Sequence, residues 1–126
     1  MDTKYMKIFL RGISAFLLAA TLIGMSPGGA LAAPGDITRV SVDSSGTQAN
    51  AGSRHTTISG DGRYVAFASD ASNLVDGDTN EATDIFVHDR QTGVTTRVSV
   101  DSSGAQANGG SDTPVISNDG RYVAFY

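Results

Sequence analysis

The sequence of 126 residues lacks cysteine and contains few basic residues, with nine lysines and arginines against thirteen aspartates and glutamates. A chain without cysteine has no disulfide framework, no thiolate zinc site and no cysteine nucleophile. The formal net charge of −4 argues against nucleic-acid binding, because proteins that bind nucleic acids usually carry a basic face. The length is that of one small domain, since domains usually have roughly 100–200 residues.

The one long apolar run, residues 13–23, has the flanks of a secretory signal peptide. Basic residues precede it, and helix breakers and small residues follow: Lys4, Lys7, Arg11, then Pro27, Gly28, Gly29 and Ala30-Leu31-Ala32. This order is typical of a helical leader cleaved after Ala32, or alternatively after Ala33. The run is shorter than the about 20 residues that a membrane span needs. We therefore predict a signal peptide over 1–32 and a mature part over 33–126 that is periplasmic or extracellular and not inserted in the membrane.

The mature part contains an internal repeat with a period of 58 residues. Residues 38–67 align without gaps on residues 96–125, and 23 of the 30 positions are identical. Four of the seven differences fall at residues 54–57 against 112–115. A fixed period of this size is typical of propellers, solenoids and arrays.

Each period contains about four short strands and no helical pattern. We predict strands near residues 57–59, 63–69, 85–89 and 94–100, because β-branched and apolar runs there are bounded by turn residues. Hairpin turns are expected at Asp61-Gly62 and at residues 91–93, since glycine tolerates the backbone of a tight turn. Four antiparallel strands per repeat are typical of a β-propeller blade. A β-solenoid is the competing architecture, but its coils are shorter and lack such hairpins.

The repeat resembles the WD40-like PD40 repeat of bacterial TolB-type propellers. The segments that carry the resemblance are Ser59-Gly60-Asp61-Gly62-Arg63-Tyr64-Val65-Ala66-Phe67, Asp84-Ile85-Phe86-Val87-His88-Asp89 and the Thr92-Gly93 turn, with Ser117 to Phe125 repeating the first. The resemblance implies an all-β fold, a partial β-propeller of about 1.6 repeats built from four-stranded antiparallel blades. Propellers close with about 4–8 blades, so the sequence predicts a fragment of a longer protein. The family's interaction role implies binding of a protein or glycan partner.

An acidic loop between the second and third strands is a candidate calcium site. Asp76, Asp78 and Asn80 stand at alternate positions and Asp84 follows, which resembles the start of a calcium loop. The sixth and twelfth positions depart from the EF-hand pattern, since they hold Glu81 and Val87. The alternative interpretation is a solvated turn in which Asp84 opens a strand.

Other polar residues favour structural over catalytic roles. Asp61 and Asp119 precede glycine in a repeated turn, where a carboxylate usually accepts backbone hydrogen bonds. His55 is expected on a surface loop and His88 at a solvated strand end, and no serine stands in a recognisable triad pattern. We therefore predict a non-enzymatic binding scaffold without a cofactor other than calcium. The alternatives are the propeller part of a larger secreted hydrolase or peptidase, and a calcium-dependent structural or adhesive repeat protein.

Overall fold

The computed structural model describes residues 7–10 and 37–126 of the chain. The predicted leader lies outside the described residues except at Lys7–Leu10, whose backbone forms a strand, β1. The remaining strands are β2 (Ser53–Ile58), β3 (Tyr64–Ser69), β4 (Asp84–Asp89), β5 (Thr95–Arg97), β6 (Val115–Ile116) and β7 (Tyr122–Phe125). The predicted all-β class is confirmed for this part of the chain, which contains no helix. Accordingly, no helix in the described ranges has the length and apolarity to span a membrane.

The first sheet is four-stranded and antiparallel, in the order β2-β3-β4-β5. Its central strands β3 and β4 are almost fully buried, which explains their continuous apolar runs, because both faces of each strand are covered. The first strand is longer than the predicted 57–59. Residues 53–57 of this strand are polar and mostly exposed, so no alternation of apolar and polar residues marks where the strand begins.

The second sheet repeats the first two strands. β6 and β7 pair antiparallel with Ile116 opposite Val123, as β2 and β3 pair with Ile58 opposite Val65. β1 pairs with the other edge of β7.

The turn between the first two strands of each sheet is held by one aspartate. The Asp61 carboxylate accepts hydrogen bonds from Ser59 Oγ at 2.6 Å and Arg63 N at 3.0 Å. Asp119 accepts the equivalent bonds at 2.6 and 3.1 Å from residues 117 and 121. Gly62 and Gly120 have positive φ angles of 72° and 70°, which glycine adopts without strain. The turn role predicted for both aspartates is confirmed.

Two apolar clusters lie on opposite faces of the first sheet. One joins this sheet to the second and contains Ala66, Ala68, Ile85, Val87, Val98, Ile116, Val123 and Phe125. The other lies beneath the loops and contains Val65, Phe67, Ala71, Leu74 and Phe86, with Val40, Ala49 and Val75 packed against it. Val40 and Val98 occupy equivalent positions of the repeat. The segments 38–49 and 96–107 therefore pack in the same way on successive sheets.

An ion pair joins the turn before β3 to the end of β4. Arg63 Nε and Nη2 donate to the two oxygens of Asp89 at 3.0 and 2.7 Å, and Asp89 Oδ1 also accepts from Gln91 N at 2.9 Å. Burial raises the pKa of Asp89, but these hydrogen bonds outweigh burial and lower the pKa to about 2 from 3.8.

Asp89→Asn is expected to lower the free energy of unfolding by about 1.5–3 kcal/mol at neutral pH, because a charged hydrogen-bond acceptor is removed. The folded-state pKa lies below the unfolded one, so the stabilisation is present above pH 3.8 and is lost as the pH falls towards about 2. Urea unfolding at a series of pH values measures the difference between the two proteins, which should shrink over that window. Arg121→Ala, at the position equivalent to Arg63 and exposed, is the control and should change stability by less than about 0.5 kcal/mol. A difference that stays constant with pH would contradict the prediction.

Candidate functional site

Two of the four predicted calcium ligands, Asp78 and Asp84, lie beside the guanidinium group of Arg97, and a third, Asn80, is hydrogen-bonded to Asp84. Arg97 Nη1 lies 3.3 Å from Asp78 Oδ1 and 3.6 Å from Asp84 Oδ2. Asn80 Nδ2 donates to Asp84 Oδ2 at 3.1 Å. Asp76, the fourth predicted ligand, is exposed. The loop and the start of β4 therefore place two carboxylates beside a cation that the protein itself supplies from β5.

The carboxylate of Asp84 is held by hydrogen bonds to both of its oxygens, one from Ser99 and one from Asn80. Ser99 Oγ donates to Asp84 Oδ1 and accepts a hydrogen bond from Ile85 N at 3.1 Å. Asn80 Nδ2 also donates to the Ala107 carbonyl at 3.1 Å. Asp84 thus opens β4, as the alternative interpretation of the loop expected, and its side chain is fully buried.

The charges in this group are mostly removed from water. The exposed side-chain fractions are 10% for Arg97, 5% for Asp78 and 0% for Asp84. Burial raises the pKa of Asp78, the nearby charge of Asp84 raises it further, and Arg97 opposes both. Among the described residues, no group of three or more histidine, aspartate or glutamate side chains is arranged to hold a metal ion. Calcium binding stays a prediction, and it requires an ion to compete with Arg97 for Asp78 and Asp84.

A second polar group, the rim cluster, lies where β2 begins and comprises Arg54, His55, Asp70, Thr83 and Asp112. Arg54 Nη1 donates to Asp70 Oδ2 at 2.7 Å, and Nη2 donates to Thr83 Oγ1 at 3.0 Å. His55 Nδ1 lies 2.7 Å from Asp112 Oδ1, and Arg54 Nε lies 3.7 Å from Asp112 Oδ2. The cluster therefore ties the first sheet to the segment that leads into the second.

A backbone irregularity places the histidine of the rim cluster. His55 has a φ of 50°, and the pairing of β2 with β3 shifts register between Arg54 and Thr57. Thr113, the equivalent residue of the second repeat, also has a φ of 50°. Bulges of this kind re-aim a side chain at a sheet edge. His55 lies in β2, so the prediction that it lies on a surface loop is wrong.

The rim cluster is open to solvent and carries both signs of charge. Its ionisable side chains are between 31% and 52% exposed. The hydrogen bond with His55 lowers the pKa of Asp112, and the hydrogen bond from Arg54 lowers the pKa of Asp70. Both carboxylates are therefore charged acceptors at neutral pH, beside the donors of Arg54. Such a surface can bind polar groups of a ligand.

The second histidine is buried, so the prediction that His88 lies at a solvated strand end is wrong. His88 is 6% exposed, and its Nδ1 lies 2.9 Å from Thr95 Oγ1. Burial lowers its pKa, which keeps the ring neutral inside the sheet.

Comparison with protein-family models, with curated proteins and with solved structures finds no match to this chain.

Proposed function

We propose that the chain is an exported β-propeller repeat module of the TolB-like PD40 type, acting as a non-enzymatic scaffold that binds a protein or glycan. The propeller proposal is supported by the way in which successive repeats pack face to face. Side chains from both sheets share one apolar cluster, and Gly60 N donates to Asn118 O at 2.9 Å between equivalent turns. Repeated antiparallel sheets stacked in this manner are the building principle of a propeller.

The observation that carries the binding proposal is where the repeats differ. Residues 54–57 and 112–115 hold four of the seven differences between the aligned repeats, and two of these positions supply Arg54, His55 and Asp112 to the rim cluster. The residues that agree include the Asp-Gly pairs of the turns and the aligned members of the two apolar clusters. Exposed residues that vary on a constant framework are suited to recognition, because they can change without disturbing the fold.

The chemistry of the rim cluster suits a ligand rich in hydroxyl or amide groups. It offers carboxylate acceptors and guanidinium donors side by side. Tyr126, which is 52% exposed, adds an aromatic ring nearby, since its hydroxyl lies 3.1 Å from Thr113 Oγ1. A sugar or a polar peptide can use the ring face for apolar contact and the charged groups for hydrogen bonds.

The test is binding of the labelled chain to a glycan array and to an array of polar peptides. We expect binding to one ligand class, with at least a tenfold loss of affinity in Arg54→Ala and in Asp112→Ala, because each removes a charged hydrogen-bonding group. The Arg54 side chain is 40% exposed and that of Asp112 is 31% exposed, so neither change should unfold the protein.

Arg121→Ala, an exposed arginine outside the rim cluster, is the matched control and should bind as the wild type does. Equal affinity in Arg54→Ala and Asp112→Ala would place the binding surface elsewhere and contradict the proposal. Cleavage of the bound ligand would contradict the non-enzymatic role.

A further inference from the structure

The contact between the two sheets, which we term the inner contact, is formed by opposite faces of the two sheets and therefore has a direction. The first sheet contributes the face with Tyr64, Ala66 and Ala68, which we term the forward face. The second sheet contributes its rear face, with Ile116, Val123 and Phe125. By the 58-residue equivalence, the rear face of the first sheet carries Ile58 and Val65, and the forward face of the second sheet carries Tyr122, Ala124 and Tyr126.

The rear face of the first sheet and the forward face of the second sheet are exposed to solvent. Their residues are equivalent, in the repeat, to residues that the inner contact buries. Ile58 is 54% exposed, whereas its equivalent Ile116 is 7% exposed. Tyr122 is 39% exposed, whereas its equivalent Tyr64 is partly buried against the shared cluster. Val115, beside Ala124 on the forward face, is 59% exposed. In the part of the chain that the structure describes, a forward face and a rear face that fit one another are thus left open.

The inner contact shows what a partner of these faces must provide. The Tyr64 ring lies so close to Gly120 that a Cβ there would be 2.4 Å from Tyr64 Cδ2. On the open rear face, Gly62 is the equivalent glycine, and a Cβ there would meet only Arg90 Nη1 at 3.7 Å and Ile58 Cδ1 at 3.9 Å. Gly62 therefore leaves room for a tyrosine ring, and the open forward face presents Tyr122 in the equivalent position.

Segment 38–49 packs on the rear face of the first sheet but leaves the surface beside Ile58 and Gly62 accessible. Val40 and Ala49 cover the part of the face around Val65 and Phe67, yet Ile58 stays exposed. Val98, the equivalent of Val40, lies in the inner cluster together with residues of both sheets. A segment in this position is therefore compatible with a sheet docked beside it.

The charges around the two faces also match those of the inner contact. The Arg121 guanidinium lies 5.6 Å from the centre of the Tyr122 ring, as that of Arg63 lies 4.8 Å from Tyr64. Asp61 adjoins Gly62 as Asp119 adjoins Gly120. A second copy of this chain consequently offers the same pairs of groups that the inner contact already joins.

We infer that two copies of this chain associate head to tail, with the forward face around Tyr122 of one copy packed on the rear face around Ile58 and Gly62 of the other. The contact is heterologous, so each copy keeps one open face after pairing and further copies can add. The inference depends on how the sheets pack and not on the ligand of the rim cluster.

The test is sedimentation velocity of the full chain over a range of concentrations. We expect the weight-average mass to rise from one chain towards two or more chains. Ile58→Asp and Tyr122→Asp should each keep the chain monomeric, because each places a charge in an apolar contact. Val94→Asp is the matched control, since Val94 is an exposed apolar residue outside both faces, and it should associate like the wild type.

Mixing the two face variants tests the direction of the contact. Ile58→Asp keeps an intact forward face and Tyr122→Asp an intact rear face, so their mixture should form one-to-one dimers that neither forms alone. A wild-type chain that stays monomeric would overturn the inference, as would a mixture that stays monomeric. Self-association of Ile58→Asp alone would also overturn it, because the head-to-tail contact needs the rear face that this change disrupts. Unchanged circular dichroism of both variants shows that they remain folded.

Discussion

Arg97→Met is expected to lower the free energy of unfolding by about 3–5 kcal/mol, because it leaves two buried carboxylates without their cation. Arg97 lies 3.3 Å from an oxygen of Asp78 and 3.6 Å from an oxygen of Asp84. Its Nη1 also donates to Gln106 Oε1 at 3.0 Å. Methionine fills much of the same apolar space, so the loss measures mainly the charge and hydrogen bonds. Urea denaturation of the two proteins gives the difference.

The repeat supplies a matched control for this substitution. Arg39 occupies the equivalent position 58 residues earlier and is exposed. Arg39→Met removes the same charge and should change stability by less than about 0.5 kcal/mol. An equal loss in both variants would mean that Arg97 does not act through Asp78 and Asp84.

The pH dependence identifies the groups that Arg97 compensates. Burial and the charge of Asp84 raise the pKa of Asp78, and removal of Arg97 takes away the interaction that opposes them. A carboxyl group whose folded-state pKa is raised destabilises the fold at higher pH, and the loss is relieved as it becomes protonated. The deficit of Arg97→Met should therefore shrink as the pH falls from neutral. A deficit that grows would contradict this account.

Addition of calcium distinguishes the two interpretations of the acidic loop, a calcium site or a turn that binds no metal. If calcium binds among Asp78, Asn80 and Asp84, its addition should raise the melting temperature, and more so in Arg97→Met, where the ion meets no competing guanidinium. An unchanged melting temperature in both proteins would remove calcium as a ligand of this loop.

The acidic loop illustrates how far the sequence could predict a site. Of the four proposed ligands, Asp78 and Asp84 do lie beside one another at Arg97, whereas Asn80 turns its amide nitrogen toward Asp84 and Asp76 is exposed. The spacing of the acidic residues along the sequence does not indicate that an arginine side chain lies between the carboxylates. Arg97 enters from β5, thirteen residues after Asp84, and only the antiparallel pairing of β4 with β5 brings the two side chains together.

The rim cluster could be predicted in part from the differences between the two repeats. Comparison of the two repeats shows that four of the seven differing positions fall at residues 54–57 and 112–115, and the structure brings members of these two sets into contact. Arg54 and Asp112 stand at equivalent positions with opposite charges, which the repeats themselves display. The positive φ of His55 could not be predicted, since histidine has no special tolerance comparable to that of glycine.

Phe67→Ala is expected to lower the free energy of unfolding by about 3–5 kcal/mol, because it opens a cavity in a closed cluster. Phe67 is fully buried and stands opposite Phe86 in the β3–β4 pair. The ring centroids are 5.9 Å apart with an interplanar angle of 27°. Val40 and Ala49 pack against the same cluster, so the substitution also loosens the segment before the first sheet. Urea unfolding measures the loss.

Two comparisons make this expectation specific to the cluster. Val94→Ala, at a residue 44% exposed, should cost less than about 0.5 kcal/mol, since little apolar area is lost there. The double variant Phe67→Ala with Phe86→Ala should fall short of the sum of the single losses by about 0.5–1.5 kcal/mol, the energy of the ring contact. Full additivity would show that the two rings do not interact. A loss at Phe67 no larger than at Val94 would show that segment 38–49 does not close the cluster, because a solvent-exposed ring loses little on truncation.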